Sequence, residues 1–336
     1  MMEIKYAKHI DILFHVLAFM KVNNASNCYN GKYIDDMKLK RREFSGGKTL
    51  NNIALLEPYY NNNFDRLGII NFLPFGALNF DEMKTAFLNY PGFTREDLAN
   101  FIIPFNEILD DESGFYFDFW ESVFKAGDNE RKAAETAIKQ LFTKYKCVFD
   151  YCGKSALAYL SYSLTVNGRG YTDSKLTALA PFPKGEEQIS KTFFTLWHEY
   201  THQFTDMLLQ RDINMRDGSH DISEIVVILT DFYLIKSIDP QSLRGYIMWL
   251  SADAGLSEGS KAGLSTGSNA GISADAGLST ASNAGLSADA GLITASNAGL
   301  SAGSISEADF LARVPIDEAL KTQIFDVTKK ILYYKD

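Results

Sequence analysis

The chain has 336 residues, 46% of them hydrophobic and 13% aromatic, enough for one large or two modest domains with a sizeable core. A formal net charge of -9 offers no basic footprint for phosphate backbones and argues against a nucleic-acid partner, and the absence of any apolar run of about 18 residues argues against a membrane span. Three cysteines, Cys28, Cys147 and Cys152, are too few and odd in number for a disulfide framework and read as reduced thiols.

From Ala7 to Val22 the residues Ile10, Leu13, Phe14 and Leu17 recur at helical spacing, with His9 and His15 off that stripe and expected at the solvated surface. The same histidines and Asp11 interrupt what would be a signal-peptide core, so the expected compartment is the cytoplasm. Ser45-Gly46-Gly47-Lys48-Thr49 ends like a phosphate loop, but Arg42 stands where the leading glycine belongs, and the segment reads as a turn. The stretches Asn71 to Gly76 and Asn89 to Gly92 mark breaks between helices, and Ala134, Ile138, Leu141 and Tyr145 restore the helical period. Residues 1–150 are therefore expected as a mostly helical N-terminal region.

The period changes near residue 156. Leu160, Tyr162, Leu164 and Val166 alternate with Ser161, Ser163 and Thr165, and Asn167-Gly168 offers a hairpin turn into a second extended stretch, Leu176 to Ala180. Pro181 and Pro183 end it, and helical spacing returns from Ile189. Residues 251–304 are nearly all Ala, Gly, Ser, Asn, Thr and Leu, and Ser273 to Leu286 and Ser287 to Leu300 are 14-residue copies differing only at Ser279 and Ile293. So little apolar area per glycine does not offset the ordering entropy, which predicts a flexible insertion. Beyond it, residues 305–336 carry Phe310, Leu311, Leu320, Ile324, Phe325, Val327, Ile331 and Leu332, enough for one or two helices that dock back.

The residues that carry chemistry are His198-Glu199-Tyr200-Thr201-His202. Residues four apart lie on one helical face, so both imidazoles can address one ion, and Glu199 stands beside it, where a carboxylate takes a proton from water. With five histidines in the chain, the spacing arises by chance in fewer than about one chain in a hundred of this composition. On a helical wheel Phe193, Leu196, Trp197, Tyr200, Phe204, Met207 and Leu208 cluster on one side, and His198, Glu199 and His202 fall outside that cluster.

His198-Glu199-Tyr200-Thr201-His202-Gln203-Phe204-Thr205-Asp206 resembles the active-site helix of thermolysin-like zinc metallopeptidases, where His-Glu-x-Thr-His is followed by Thr-Asp at the same offset. The resemblance covers these nine residues. It implies Zn2+ as cofactor, a peptide or protein as substrate, and a third ligand, a glutamate, on a second helix. Glu224, 22 residues after His202, is the first choice, with His220, Asp221 and Asp206 as fallbacks; Asp221 to Glu224 also has capping-box spacing. Asp231 lies on the same helical face as Glu224, where it could orient a ligating histidine. No histidine follows His220 to stabilise the oxyanion, which leaves Tyr233, Tyr246, Arg244 and Tyr171 as candidate donors.

The expected fold class is α+β, with a zincin-like catalytic region over residues 151–250 holding a small sheet and the metal helix. The expected function is zinc-dependent peptide hydrolysis with His198, His202 and Glu224 as ligands and Glu199 as general base. Leu176 to Ala180 would bind a peptide backbone by strand addition. The rival readings are a catalytically inactive zincin-fold binding or regulatory protein, and a scaffold that self-associates through its repeats. The oligomeric state is open.

Overall fold

Why the histidines converge is a question of which elements surround them. The computed structural model describes residues 2–20, 31–45, 52–164, 167–172, 174–208, 220–253, 307–314, 316 and 318–333. In chain order these form β1 (Glu3–Lys5), α1 (Lys8–Ala18), α2 (Gly31–Ser45), α3 (Ile53–Asn62), α4 (Phe64–Leu67), α5 (Phe80–Asn89), α6 (Arg95–Asp97), α7 (Ile103–Ala126), α8 (Asp128–Thr143), α9 (Lys146–Cys152), β2 (Ala156–Ser161), β3 (Arg169–Thr172), β4 (Leu176–Pro181), α10 (Glu186–Leu208), α11 (His220–Ile238), α12 (Leu243–Asp253), α13 (Glu307–Arg313) and α14 (Glu318–Leu332). The fold is α+β, mostly helical around one small mixed sheet. Residues 46–49 of the expected turn and nearly all of the repeat segment lie outside the described residues, although α2 runs on to Ser45 and α12 to Asp253.

The sheet order is β1-β2-β4-β3. β1, β2 and β4 are parallel, with Ile4 opposite Ala158 and Ala158 opposite Ala178; β3 runs antiparallel to β4, with Gly170 opposite Ala178. This corrects two expectations. The hairpin joins β3 to β4 and not β2 to β4, because β2 ends at Ser161 and the chain leaves the sheet before Asn167, which does adopt a positive φ of 55°. Leu176 to Ala180 has a partner on each side, so it has no edge for an added strand; the edges that pair with no described strand are the outer ones of β1 and β3, and β3 is the one next to α10.

Two cores flank the sheet. Ala156, Ala158, Leu160, Leu176, Ala178 and Ala180 face α8, α10, α11 and the C-terminal helices, whose Phe310, Val314, Ile324, Val327 and Ile331 pack into the same core. Leu179 faces the other way, into the core of α1, α3, α5 and α7. Strand alternation thus ties the N-terminal helices to α10 through one sheet.

α1 is buried almost all round, which corrects the expected exposure of His9 and His15. His15 Nε2 lies 2.7 Å from Glu112 Oε1, its Nδ1 lies 2.9 Å from the Tyr33 hydroxyl, and Arg41 donates to the same Glu112 oxygen. The stripe missed this because a helix wrapped on all sides keeps its polar residues by pairing them inside. Glu112→Ala takes the carboxylate from two buried partners and is expected to lower unfolding free energy by about 3–5 kcal/mol. Urea denaturation checks this.

A second buried carboxylate joins the two halves. Asp11 on α1 accepts from Trp120 Nε1 at 2.6 Å and from the Ser161 hydroxyl at the end of β2. Burial pushes its carboxyl up to about 6 against those donors. An acid raised on folding binds more protons when folded, so its contribution falls as pH rises between about 4 and 6, by about 3 kcal/mol. The stability difference between wild type and Asp11→Asn is expected to shrink over that range, and one that is flat with pH would refute the assignment.

Candidate metal centre

α10 begins after the Pro181 break and is buried at every position from Thr192 to Thr205 except the half-buried His202. Its apolar side, with Phe193, Leu196, Trp197 and Tyr200, packs in the core against Phe142, Tyr145 and Phe149. The polar side that the wheel separates does not face open water. It faces β3, β4 and α11.

α11 crosses this side and brings Glu224 to both imidazoles. Glu224 Oε2 lies 3.4 Å from His198 Nε2, Glu224 Oε1 lies 3.2 Å from His202 Nε2, and the two Nε2 atoms are 3.1 Å apart. The three residues form a cluster whose donor atoms all lie within 4.8 Å of one another. Asp231, seven residues and two turns after Glu224, places Oδ2 3.1 Å from His198 Nδ1. The Nδ1 proton is thereby committed to Asp231, and the His198 Nε2 lone pair points into the cluster.

The donor set fits zinc. Two ligands at about 2.0–2.1 Å from one tetrahedral zinc lie about 3.3 Å apart, close to the observed nitrogen separation. Only one proton can lie between the two Nε2 atoms, and the glutamate beside them calls for positive charge. His198, His202 and Glu224 keep 11%, 15% and 9% of their side chains exposed, so an ion has a way in.

The electrostatics follow the same logic. Burial alone would lower the His198 imidazole, but Asp231 and Glu224 outweigh it and hold it well above its ordinary value; Glu224 does the same to His202. Burial pushes at Glu224 from the other side, and the two imidazoles hold it well below the carboxylate range. Glu199 goes the opposite way: burial raises it, only partly offset by His202, His198 and Arg169.

Glu199 lies against β3 and the residue before it: a Cβ at position 168 would come within 2.6 Å of its Oε1 and a Cβ at 170 within 3.0 Å of its Oε2. Two glycines let the strand close over the carboxylate. Gln203, one turn on, clips α10 to the sheet: its Nε2 donates to Thr177 O at 2.8 Å and its Oε1 accepts from Thr177 N at 3.0 Å. The sequence marks Gly168 only as a turn residue and gives Gly170 and Gln203 no role, although glycines two apart at and just before a strand are a signal for close backbone approach.

No family model, curated protein or solved structure matches the chain.

Two of the expected catalytic residues, Tyr233 and Tyr246, do not point into the cluster. Tyr233 is nine residues from Glu224, half a turn round α11, and packs on Phe325 in a cavity with Leu311 and Lys321. Tyr246 is buried behind His198, where its hydroxyl lies 3.1 Å from Asp231 Oδ2. Tyr171 stacks on Phe75 on the far face of β3, and Arg244 is exposed on α12. The side chains of the fallback ligands Asp206, His220 and Asp221 lie outside what is described.

Among the described residues, no helix is long and apolar enough to cross a membrane.

Proposed function

We propose that the chain is a zinc-dependent peptidase with a zincin-like catalytic region. The observation that carries this reading is the convergence of His198, His202 and Glu224 from α10 and α11, with Glu199 buried beside them under β3. His198, His202 and Glu224 would hold the metal. Zinc, when bound, supplies a Lewis acid that acidifies water and polarises a carbonyl.

The chain's own residues supply the rest. Glu199 takes the proton of the attacking water on a carboxylate oxygen and hands it to the leaving amine, and its raised proton affinity suits both transfers. The outer edge of β3 offers backbone groups to an extended peptide beside that carboxylate, in place of the β4 stretch favoured by the sequence alone. The glycines at 168 and 170 leave no side chain between strand and carboxylate.

One observation favours the rival reading of a non-hydrolytic, metal-holding binding protein: neither Tyr233 nor Tyr246 is placed to donate to an oxyanion. Metal analysis of the purified chain, followed by cleavage of a broad peptide library, separates the two. The peptidase reading expects one zinc per chain and cleavage. Zinc without cleavage supports the rival, and no zinc sinks both.

A further inference from the structure

The Asp231 carboxylate on α11 is fully buried and serves three donors from two helices, α10 and α12. His198 Nδ1 from α10 and the Tyr246 hydroxyl from α12 share Oδ2, each at 3.1 Å, and the Thr201 hydroxyl, one turn after Trp197 on α10, reaches Oδ1. The Tyr246 oxygen also lies 3.4 Å from Ile228 O, a longer and weaker contact than the one to the carboxylate. Burial and the adjacent Asp231 hold the Tyr246 phenol well above its ordinary range, so it stays a neutral donor. α12 touches the imidazole a second time through Trp249, whose ring centroid lies 5.7 Å from that of His198 and 5.7 Å from that of Tyr246.

We propose that Tyr246, together with Thr201, is a positioning residue that clamps Asp231 in the plane that presents His198 Nε2 to the metal, making α12 a determinant of metal affinity rather than part of the reacting surface. This rests on the zinc reading of the site. The geometry behind it is one of sides. Nδ1 and Nε2 lie on opposite edges of the imidazole, so a hydroxyl bound to the carboxylate at Nδ1 faces away from anything held at Nε2. A carboxylate with one clamped oxygen still rotates about its Cβ–Cγ bond; Thr201 on Oδ1 and Tyr246 on Oδ2 remove that freedom. His198 then meets the ion already oriented, with its tautomer set.

The test uses the purified full chain with Zn2+ and Co2+ as probes. Zinc affinity is measured by competition with a chromophoric chelator, the ligand field by the visible spectrum of the Co2+ form, and folding by thermal unfolding of the metal-free chain. Tyr246→Phe is expected to weaken zinc binding by about 10-fold and to alter the Co2+ spectrum, with cleavage at saturating zinc changing far less than affinity. Thr201→Val, acting on the other oxygen, is expected to do the same, and Tyr233→Phe, on the opposite side of α11, to leave zinc affinity unchanged. Unchanged affinity in both Tyr246→Phe and Thr201→Val overturns the proposal while leaving the peptidase reading intact. Unchanged affinity in Tyr246→Phe with collapsed cleavage overturns it in favour of a hydroxyl that touches the reacting atoms. If Tyr246→Phe fails to fold, Thr201→Val alone decides. A wild type that takes up neither metal fails the zinc reading itself.

Discussion

Glu199→Gln is expected to lower peptide cleavage by about 10²–10⁴-fold while zinc still binds one per chain. The substitution keeps the shape of the side chain, which matters where a strand lies directly against it: Gly168 and Gly170 leave no slack for a larger group. It removes the one property the proposed reaction needs, a buried oxygen that can accept a proton and release it. Glutamine cannot. The ligands are untouched, since His198, His202 and Glu224 hold their geometry through Asp231 and through one another. The measurement is kcat/KM at saturating zinc beside the zinc content of the same preparation. Loss of both would mean that Glu199 supports the site structurally, and full retention of cleavage would move the base elsewhere. Unfolding of the metal-free variant provides a control: the amide does not bear the burial cost of a charge, so stability is expected to be unchanged or higher.

The convergence of His198, His202 and Glu224 was legible in the sequence because its spacing is a one-dimensional signature. His198 and His202 share a face at any helical placement, and Glu224 and Asp231 share another seven residues apart. Which way Tyr246 points depends on how α12 crosses α11, and a single sequence holds no record of that crossing. Tyr233 failed for a reason that could have been read: nine residues from Glu224 is half a turn round the same helix. β1, three residues long, is too short to show an alternation and is held by its parallel pairing with β2, more than 150 residues away. The serine alternation after Leu160 misled in the opposite direction, because Ser161 and Ser163 are spaced for the Asp11 side chain and backbone rather than for a sheet face. His15 misled because its partner, Glu112, lies 97 residues on. Local periodicity reports burial on one side only, and these residues are buried on all sides.

Gly168→Ala is expected to lower cleavage by about 10²-fold with little change in zinc affinity. The added Cβ would sit 2.6 Å from Glu199 Oε1 and 2.8 Å from Thr195 Cγ2, inside the closest distance real Cβ atoms reach, so either the carboxylate or the strand must move. The carboxylate is the softer of the two, because Gly168 directly precedes Arg169, which is held opposite Leu179 in the β3–β4 pairing, and a shift on the order of 1 Å is enough to misalign proton transfer. The histidines face α11 and are not displaced by a group added on the β3 side. Gly170→Ala should behave differently: its Cβ meets Gln203 Nε2 at 3.0 Å as well as Glu199, so it also disturbs the clip to Thr177 and is expected to lower stability along with activity. A double variant decides whether Gly168 acts through Glu199. If it does, adding Gly168→Ala to Glu199→Gln costs almost nothing further, since the proton acceptor is already gone; two full, additive losses would show that the glycine serves the substrate edge of β3 on its own account.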